Sequence, residues 1–179
     1  QDAVTVAYSY IGPELTYPIY FEGTIGAAKK HLHATADEIR EELKVKALIS
    51  VNKGLVTQAS AAIPIVPLYM SMLYKVMKEK DLHEGCIEQI ERLFKDKKLM
   101  TDTQTDEHGW VRLDDWELRQ DVQDEVKKRW EDINSENVGE LADIDGYWKD
   151  FYQMFGFKED GVDYEADTDP VVAIPSIEE

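Results

Sequence analysis

Cysteine is nearly absent from this chain, with Cys86 the only one in 179 residues. That excludes an internal disulfide and any thiolate cluster for zinc or iron–sulfur, and a reducing intracellular compartment is the simplest setting. Basic residues are scarce too, 20 against 37 acidic ones, for a formal net charge of −17. Nucleic acid and anionic membrane are not expected partners, because phosphate recognition needs clustered Lys and Arg. A cationic partner surface is compatible with this charge. The tail 158–179 carries one lysine and eight acidic residues, so the remaining acidity is spread along the body as on a solvated surface. No apolar run reaches the roughly 18 residues of a transmembrane segment. The N-terminus has neither a signal-peptide pattern nor a methionine, since the chain starts at Gln1. Processing, cleavage, a split gene or an incomplete chain would each produce that start.

Metal-ligand spacing is also lacking. His31 and His33 are two residues apart in a predicted helix and point in different directions. His83 has no second histidine at helical spacing, and His108 falls in a loop. No metal site is expected. Ser60 lacks a nucleophile-elbow context, and no period of 20 to 50 residues suggests a solenoid. Gly23 and Gly26 form only GxxG, which reads as close entry into a helix rather than a phosphate cradle.

The chain does have a 43% hydrophobic content, enough for one sizeable core. Ala3 to Tyr10 reads as a buried strand ending at a Gly12-Pro13 turn. From Thr24 to Leu43, Ile25, Ala28, Leu32, Ala36, Ile39 and Leu43 recur at helical spacing. Lys46 to Val51 reads as a second strand, broken by Asn52-Lys53-Gly54. This βαβ order implies a parallel, right-handed crossover. The fold class is therefore α/β, mostly helical within this chain, with further strands expected from elsewhere. Pro64 and Pro67 introduce an apolar helix from Leu68 to Lys78, whose Met70, Met72 and Met77 read mainly as core and secondarily as an adaptable pocket wall. A helix from about Gly85 to Lys95 follows, then a polar connection over 97–107. Asp114 or Asp115 is expected to cap a helix bearing Leu118, Val122, Val126, Trp130 and Ile133. Asn137 is expected to open a last helix bearing Leu141, Ile144, Trp148, Phe151 and Phe155. The expected organisation is an α/β portion over 1–63, a helical pocket and packing region over 64–157, and an acidic tail over 158–179.

Tyr20 and Lys29 form a Tyr-x8-Lys pair. A tyrosine hydroxyl can hold or protonate an oxyanion when a nearby cation makes it acidic enough; a phenol otherwise titrates near about 10. Three further runs surround the pair: Val6 to Tyr20 (VAYSYIGPELTYPIY), Gly23 to Lys30 (GTIGAAKK) and Val56 to Lys80. With Leu82 to Phe94, the tryptophan-rich acidic helices, Gly161 to Asp167, Pro170 and Ile174-Pro175, they closely resemble the trans-2-enoyl-CoA reductase and FabV-type enoyl-ACP reductase family over nearly the whole chain.

Members of that family are much longer, and this chain corresponds to their C-terminal part. The resemblance therefore implies a Rossmann-like, short-chain-reductase-type fold whose glycine-rich half lies on another stretch or another chain. It implies NADH as cofactor and an enoyl thioester as substrate. It also implies Tyr20, Lys29 and Tyr10 as the catalytic set, with Lys29, Lys30 and Thr57 holding the cofactor. In that reading Lys29 lowers the Tyr20 pKa and contacts the nicotinamide ribose, and Tyr10 assists at the thioester carbonyl. Two of these residues also have plain structural explanations: Tyr10 as a packed strand residue, and Thr57 as a turn residue bonded to its own backbone. A second class stays open, a reductase-derived structural subunit of a larger assembly that is inactive without the other half. Relatives of the family place it in the bacterial cytoplasm or the mitochondrion.

Overall fold

A computed structural model describes residues 4–171; Ala3 at the start of the first predicted strand and Ile174-Pro175 lie outside them. Strand β1 (Val4–Ser9) leads through a 3-10 turn at Glu14–Thr16 into helix α1 (Thr24–Leu43), which returns the chain to strand β2 (Lys46–Val51). β1 and β2 pair in parallel, Val4 opposite Lys46 through Ser9 opposite Val51. This is the βαβ unit expected from the two apolar runs and the helical stripe between them.

A third strand, β3 (Trp110–Arg112), pairs in parallel with the end of β2, Ile49 opposite Trp110 and Val51 opposite Arg112. The sheet order is β1-β2-β3. At three residues β3 gives no alternation pattern to read, yet Val111 at its centre is fully buried. Between β2 and β3 lie α2 (Gln58–Ala61), α3 (Val66–Glu79) and α4 (Cys86–Lys95). After β3 come α5 (Gln120–Asp132), α6 (Val138–Leu141) and α7 (Ile144–Gln153).

Side chains of the central strand alternate between two cores. Ile49 and Val51 pack with Ala36 of α1, while Leu48 packs with Leu93 of α4, Leu99, Val111 and Leu113. Helices thus cover both faces of a parallel sheet, the arrangement of an α/β layer fold. The third and largest core is helical, with Tyr69, Met70, Leu73, Tyr74, Val76 and Met77 of α3 against Val122 and Val126 of α5 and Tyr147 of α7. Met72 and Met77 are wholly core.

Two predicted caps are corrected. Asp114 is fully buried and receives both ends of the Arg112 guanidinium, at 2.8 and 2.7 Å. Asp115 receives Arg92 and Lys97. Ion pairing therefore claims both carboxylates, and α5 begins later, after Arg119, with no side-chain cap. Asn137 precedes only the single turn α6; the last long helix is capped by Asp143, which accepts from the Gly146 N–H at 3.0 Å. With that start, Tyr147 and Phe151 face α3, one turn apart as packing requires, and Trp148 and Phe155 of the predicted stripe are exposed.

Among the described residues, the cations Arg92 and Lys53 are buried in the interior. Arg92 on α4 donates to both oxygens of Glu84, at 2.9 and 2.6 Å, to Asp115 at 2.6 Å and to the Leu113 carbonyl. Its guanidinium also stacks 4.2 Å from the Trp116 ring. Lys53 is fully buried beneath α3, its ammonium donating to the Gly54 carbonyl at 3.0 Å and lying 4.4 Å over the Tyr74 ring. Burial lowers the Lys53 pKa to about 8, against the opposing pull of Glu117, Glu84 and Asp150.

Removing Arg92 leaves Glu84 uncompensated in the interior. Arg92→Met is expected to cost roughly 3–5 kcal/mol in urea unfolding; a loss below about 1 kcal/mol, the worth of an exposed pair, would contradict this assignment. Lys53 predicts a pH dependence. Between its folded pKa of about 8 and the unfolded value of about 10.4, the unfolded chain holds a proton that the folded one has released. Raising the pH through that window therefore favours folding. The stability of the protein relative to Lys53→Met should rise from pH 7 to pH 10, and a flat difference would show that Lys53 titrates normally.

Candidate active site

In an open parallel sheet, the carboxyl ends of the strands are where ligands bind. Here β1 ends at Ser9 and β2 at Val51, and the segments that follow them open on a cleft of about 470 Å³. Tyr10, Tyr20, Lys29 and Thr57 all line it, together with Lys53, Gly54, Ile63, Val66 and Met70. Four of the five residues singled out in the sequence are thereby brought to one place, although up to 47 positions separate them.

Tyr20 is held by the turn between the 3-10 segment and α1. Its N–H donates to the Thr16 carbonyl at 2.9 Å, and its own carbonyl accepts from Gly23 and Gly26 at 3.3 and 3.1 Å. A Cβ on Gly26 would fall 1.8 Å from the Phe21 carbonyl oxygen, and one on Gly23 2.8 Å from that of Ile19. The two glycines therefore allow α1 to start directly against this turn, which is the close entry predicted for GxxG. Tyr20 is buried, and burial raises its phenol above the ordinary value.

Lys29 lies in the second turn of α1, and its ammonium donates to the Tyr8 carbonyl at 3.2 Å. Among the described residues no hydrogen bond joins it to Tyr20. The expected lowering of the Tyr20 pKa by Lys29 is thus absent from this arrangement; desolvation dominates, and the lysine is turned to the end of β1. Lys30 points elsewhere, with its ammonium 4.6 Å over the Phe21 ring and outside the cleft lining. Thr57 lines the cleft while capping α2. Its hydroxyl oxygen accepts from the Ser60 N–H at 3.0 Å, and its own N–H donates to the Ser60 hydroxyl at 2.8 Å. A turn residue bonded to its own backbone therefore describes the hydrogen bonds of Thr57, and its hydroxyl hydrogen is still free to donate.

Tyr10 meets the Tyr20 ring edge-on, with centroids 5.1 Å apart at 74°. Its hydroxyl donates to Glu117 at 2.9 Å. Glu117 is fully buried and also accepts from Tyr69 at 2.7 Å and from the Gly54 N–H at 2.6 Å. Burial raises the pKa values of Tyr10, Tyr69 and Glu117 alike. Sequence reading missed Glu117, Lys53 and Gly54. An acidic residue 107 positions from its tyrosine partner produces no local spacing signal, and Gly54 read only as a strand breaker. His33, by contrast, is a core histidine paired with the Ser9 hydroxyl at 2.8 Å. Between the cleft-lining residues Ile63 and Val66, Ile65 adopts φ 61, a left-handed conformation that is costly for a β-branched residue.

Comparison with known proteins follows the same residues. Residues 1–99 match the family described as trans-2-enoyl-CoA reductase catalytic region, and residues 105–168 match one described as enoyl reductase FAD binding domain. Several cations and glycines of that second stretch are already committed within the chain. Arg112, Arg119, Arg129 and Lys149 are each paired with carboxylates. Gly146 sits against its capping Asp143, and Gly109 faces the Arg40 guanidinium, so neither serves as a phosphate turn.

The enoyl-[acyl-carrier-protein] reductase [NADH] of Coxiella burnetii (strain Dugway 5J108-111) is 58% identical over 178 residues, 97% of this chain and 44% of that protein. The protein of the same description from Flavobacterium johnsoniae is 55% identical over 99% of this chain and 46% of its own length. Trans-2-enoyl-CoA reductase of Clostridium acetobutylicum, solved with NADH, superimposes with a TM-score of 0.88 at 54% identity, covering 94% of this chain and 44% of that one. The Treponema denticola enzyme, solved with NAD, gives 0.86 at 50% identity, covering 93% and 43%. The chain spans less than half the length of these relatives. Matched over more than half its residues by the catalytic-region family, and at half identity or better by each of these proteins, it belongs to the trans-2-enoyl-CoA reductase and FabV-type enoyl-ACP reductase family.

Proposed function

We propose that this chain supplies the Tyr/Lys half of an NADH-dependent reductase of trans-2-enoyl thioesters, carried on CoA or acyl carrier protein, in fatty acid synthesis. The observation that carries this reading is the single cleft at the strand ends onto which Tyr20, Lys29, Tyr10 and Thr57 converge. NADH, when bound, supplies the hydride that is added to C3 of the enoyl group. The chain's own residues then deal with the charge that develops on the thioester oxygen.

Tyr20, buried and protonated at neutral pH, is assigned to hydrogen-bond that enolate oxygen and to deliver a proton. Tyr10 is assigned to the same end of the cleft. Lys29, bound only to a backbone carbonyl, is free to swing to the nicotinamide ribose, and its approach would provide the cation that Tyr20 lacks in this arrangement. Thr57 can donate its hydroxyl hydrogen to the cofactor, and Lys30 is assigned a cofactor contact that requires it to leave the Phe21 ring. The apolar wall formed by Ile63, Val66 and Met70 suits an acyl chain. Residues 1–63 would carry the dinucleotide-binding portion, 64–157 the pocket and packing helices, and 158–179 the acidic tail.

The pyrophosphate cradle is assigned to an N-terminal glycine-rich half, covalent or separate, because the relatives are more than twice the length of this chain. The same observation supports the second reading, a reductase-derived subunit that is inactive without that half; the comparisons give no support to a larger assembly. The named relatives are bacterial, which favours the bacterial cytoplasm over the mitochondrion.

Combined with its glycine-rich half, the chain should consume NADH in the presence of crotonyl-CoA. Tyr20→Phe should then lower kcat by about a hundredfold or more, the scale of a lost general acid, with NADH affinity nearly unchanged. Equal turnover in the two proteins would remove Tyr20 from the mechanism, and a combination that binds both ligands yet consumes no NADH would favour the subunit reading.

A further inference from the structure

Glu117 is a buried titratable group, bonded to two residues of the cleft lining, that the proposed chemistry leaves without a role. It is 0% exposed, yet its two oxygens collect hydrogen bonds from Tyr10, Tyr69 and the Gly54 N–H. Burial raises the Glu117 pKa, and three donors converging on the carboxyl group, with the Lys53 ammonium as an opposing charge nearby, work against that rise; both oxygens are engaged as acceptors. A carboxylate can only accept. The hydrogen on the Tyr10 hydroxyl is therefore directed inward, away from the cleft.

We propose, resting on the reductase reading above, that Glu117 is a positioning residue: it captures the Tyr10 hydroxyl hydrogen, so that Tyr10 braces Tyr20 instead of assisting at the thioester carbonyl as the family resemblance implies. Tyr20 is then the one of the two phenols whose hydrogen can reach the enolate. The edge-on contact between the two rings, centroids 5.1 Å apart, packs Tyr10 against Tyr20. The Gly54 N–H held by the second carboxylate oxygen fixes the opposite wall. A Cβ on Gly54 would come within 3.3 Å of both the Tyr10 oxygen and Met70 Cε, so the tie clamps β1's exit against β2's exit at a position where a larger residue would crowd both.

The test uses Glu117→Gln in the chain combined with its glycine-rich half, read in two ways. The first is NADH consumption with crotonyl-CoA. The amide can donate to the Tyr10 oxygen and reverse the bond, so kcat should fall about tenfold to a hundredfold, the scale of a lost charge-assisted hydrogen bond, while KM for NADH stays within about twofold. Adding Glu117→Gln to Tyr10→Phe should then cost nothing further, because the two act as one unit. Losses that multiply in the double variant would overturn the proposal.

The second readout is the titration of Tyr10 by NMR with a labelled phenol carbon. The groups facing its hydroxyl are Glu117, Tyr69 and Tyr20. With the negative neighbour removed, Tyr10 should ionise at lower pH than in the wild-type protein; an unmoved titration would show that Glu117 does not hold this hydroxyl. If the wild-type combination consumes no NADH, the reductase reading fails, and the titration alone still decides whether the tie exists. Should Glu117→Gln fail to fold, Glu117→Asp keeps the charge but is too short to span Tyr10 and Gly54 together. It should show the same kcat loss in smaller measure, and full wild-type turnover in a folded Glu117→Asp protein would count against the tie.

Discussion

The fold around the cleft depends on a buried carboxylate. Glu117 lies between three chain segments that share no local sequence relation: Tyr10 just past β1, Gly54 just past β2, and Tyr69 on α3. Desolvating a carboxylate costs several kcal/mol unless its oxygens are fully hydrogen-bonded. Each oxygen here is satisfied, and Gln123 extends the network by donating to the Glu117 carbonyl at 2.6 Å and to the Tyr69 hydroxyl at 3.3 Å. A half-satisfied network would be worse than an apolar core. The geometry of the β1 exit, the β2 exit and α3 is therefore specified together rather than element by element.

Arg92 plays the complementary part on the other side of the same edge. It ties α4 to Glu84, to Asp115 and to the Leu113 carbonyl just beyond β3. Both networks gather on the segment 113–117, with Leu113, Asp114, Asp115, Trp116 and Glu117 each engaged in a core, an ion pair, a ring stack or a buried hydrogen bond. That short connection has no regular structure to hold it, so side-chain bonding does what a backbone ladder would otherwise do. It also explains why β3 persists at three residues: Leu113 N–H and Asp114 N–H both continue onto the Val51 carbonyl.

What could be read in the sequence follows from which forces act locally. The βαβ unit was legible because the stripe of α1 and the apolar runs of β1 and β2 are periodic over six to twenty residues. The convergence of Tyr20 and Lys29 followed from placing one just before that helix and the other in its second turn. β3 was not legible, since three residues carry no period. Asp114 and Asp115 have the sequence position of caps, acidic residues before a helical stripe; their partners, Arg112, Arg92 and Lys97, are set by tertiary contact. Met70 illustrates the same boundary. Its helical position identified it as buried, but only the fold separates it, at the cleft, from Met72 and Met77 in the core.

Charge makes the last distinction within the cleft. The dinucleotide proposed above is anionic and the chain's net charge is −17, so the average field of this chain would oppose its binding and local cations would have to prevail over it. Two lysines line the cleft. Lys53 is fully buried, committed to the Gly54 carbonyl and the Tyr74 ring, and easier to deprotonate than an ordinary lysine; it serves the wall, not the ligand. Lys29 is partly exposed and bound only to the Tyr8 carbonyl, which a ligand oxygen can replace at little cost. The lysine proposed above to acidify Tyr20 is thus the one held by a single backbone carbonyl, and the raised phenol pKa follows from burial.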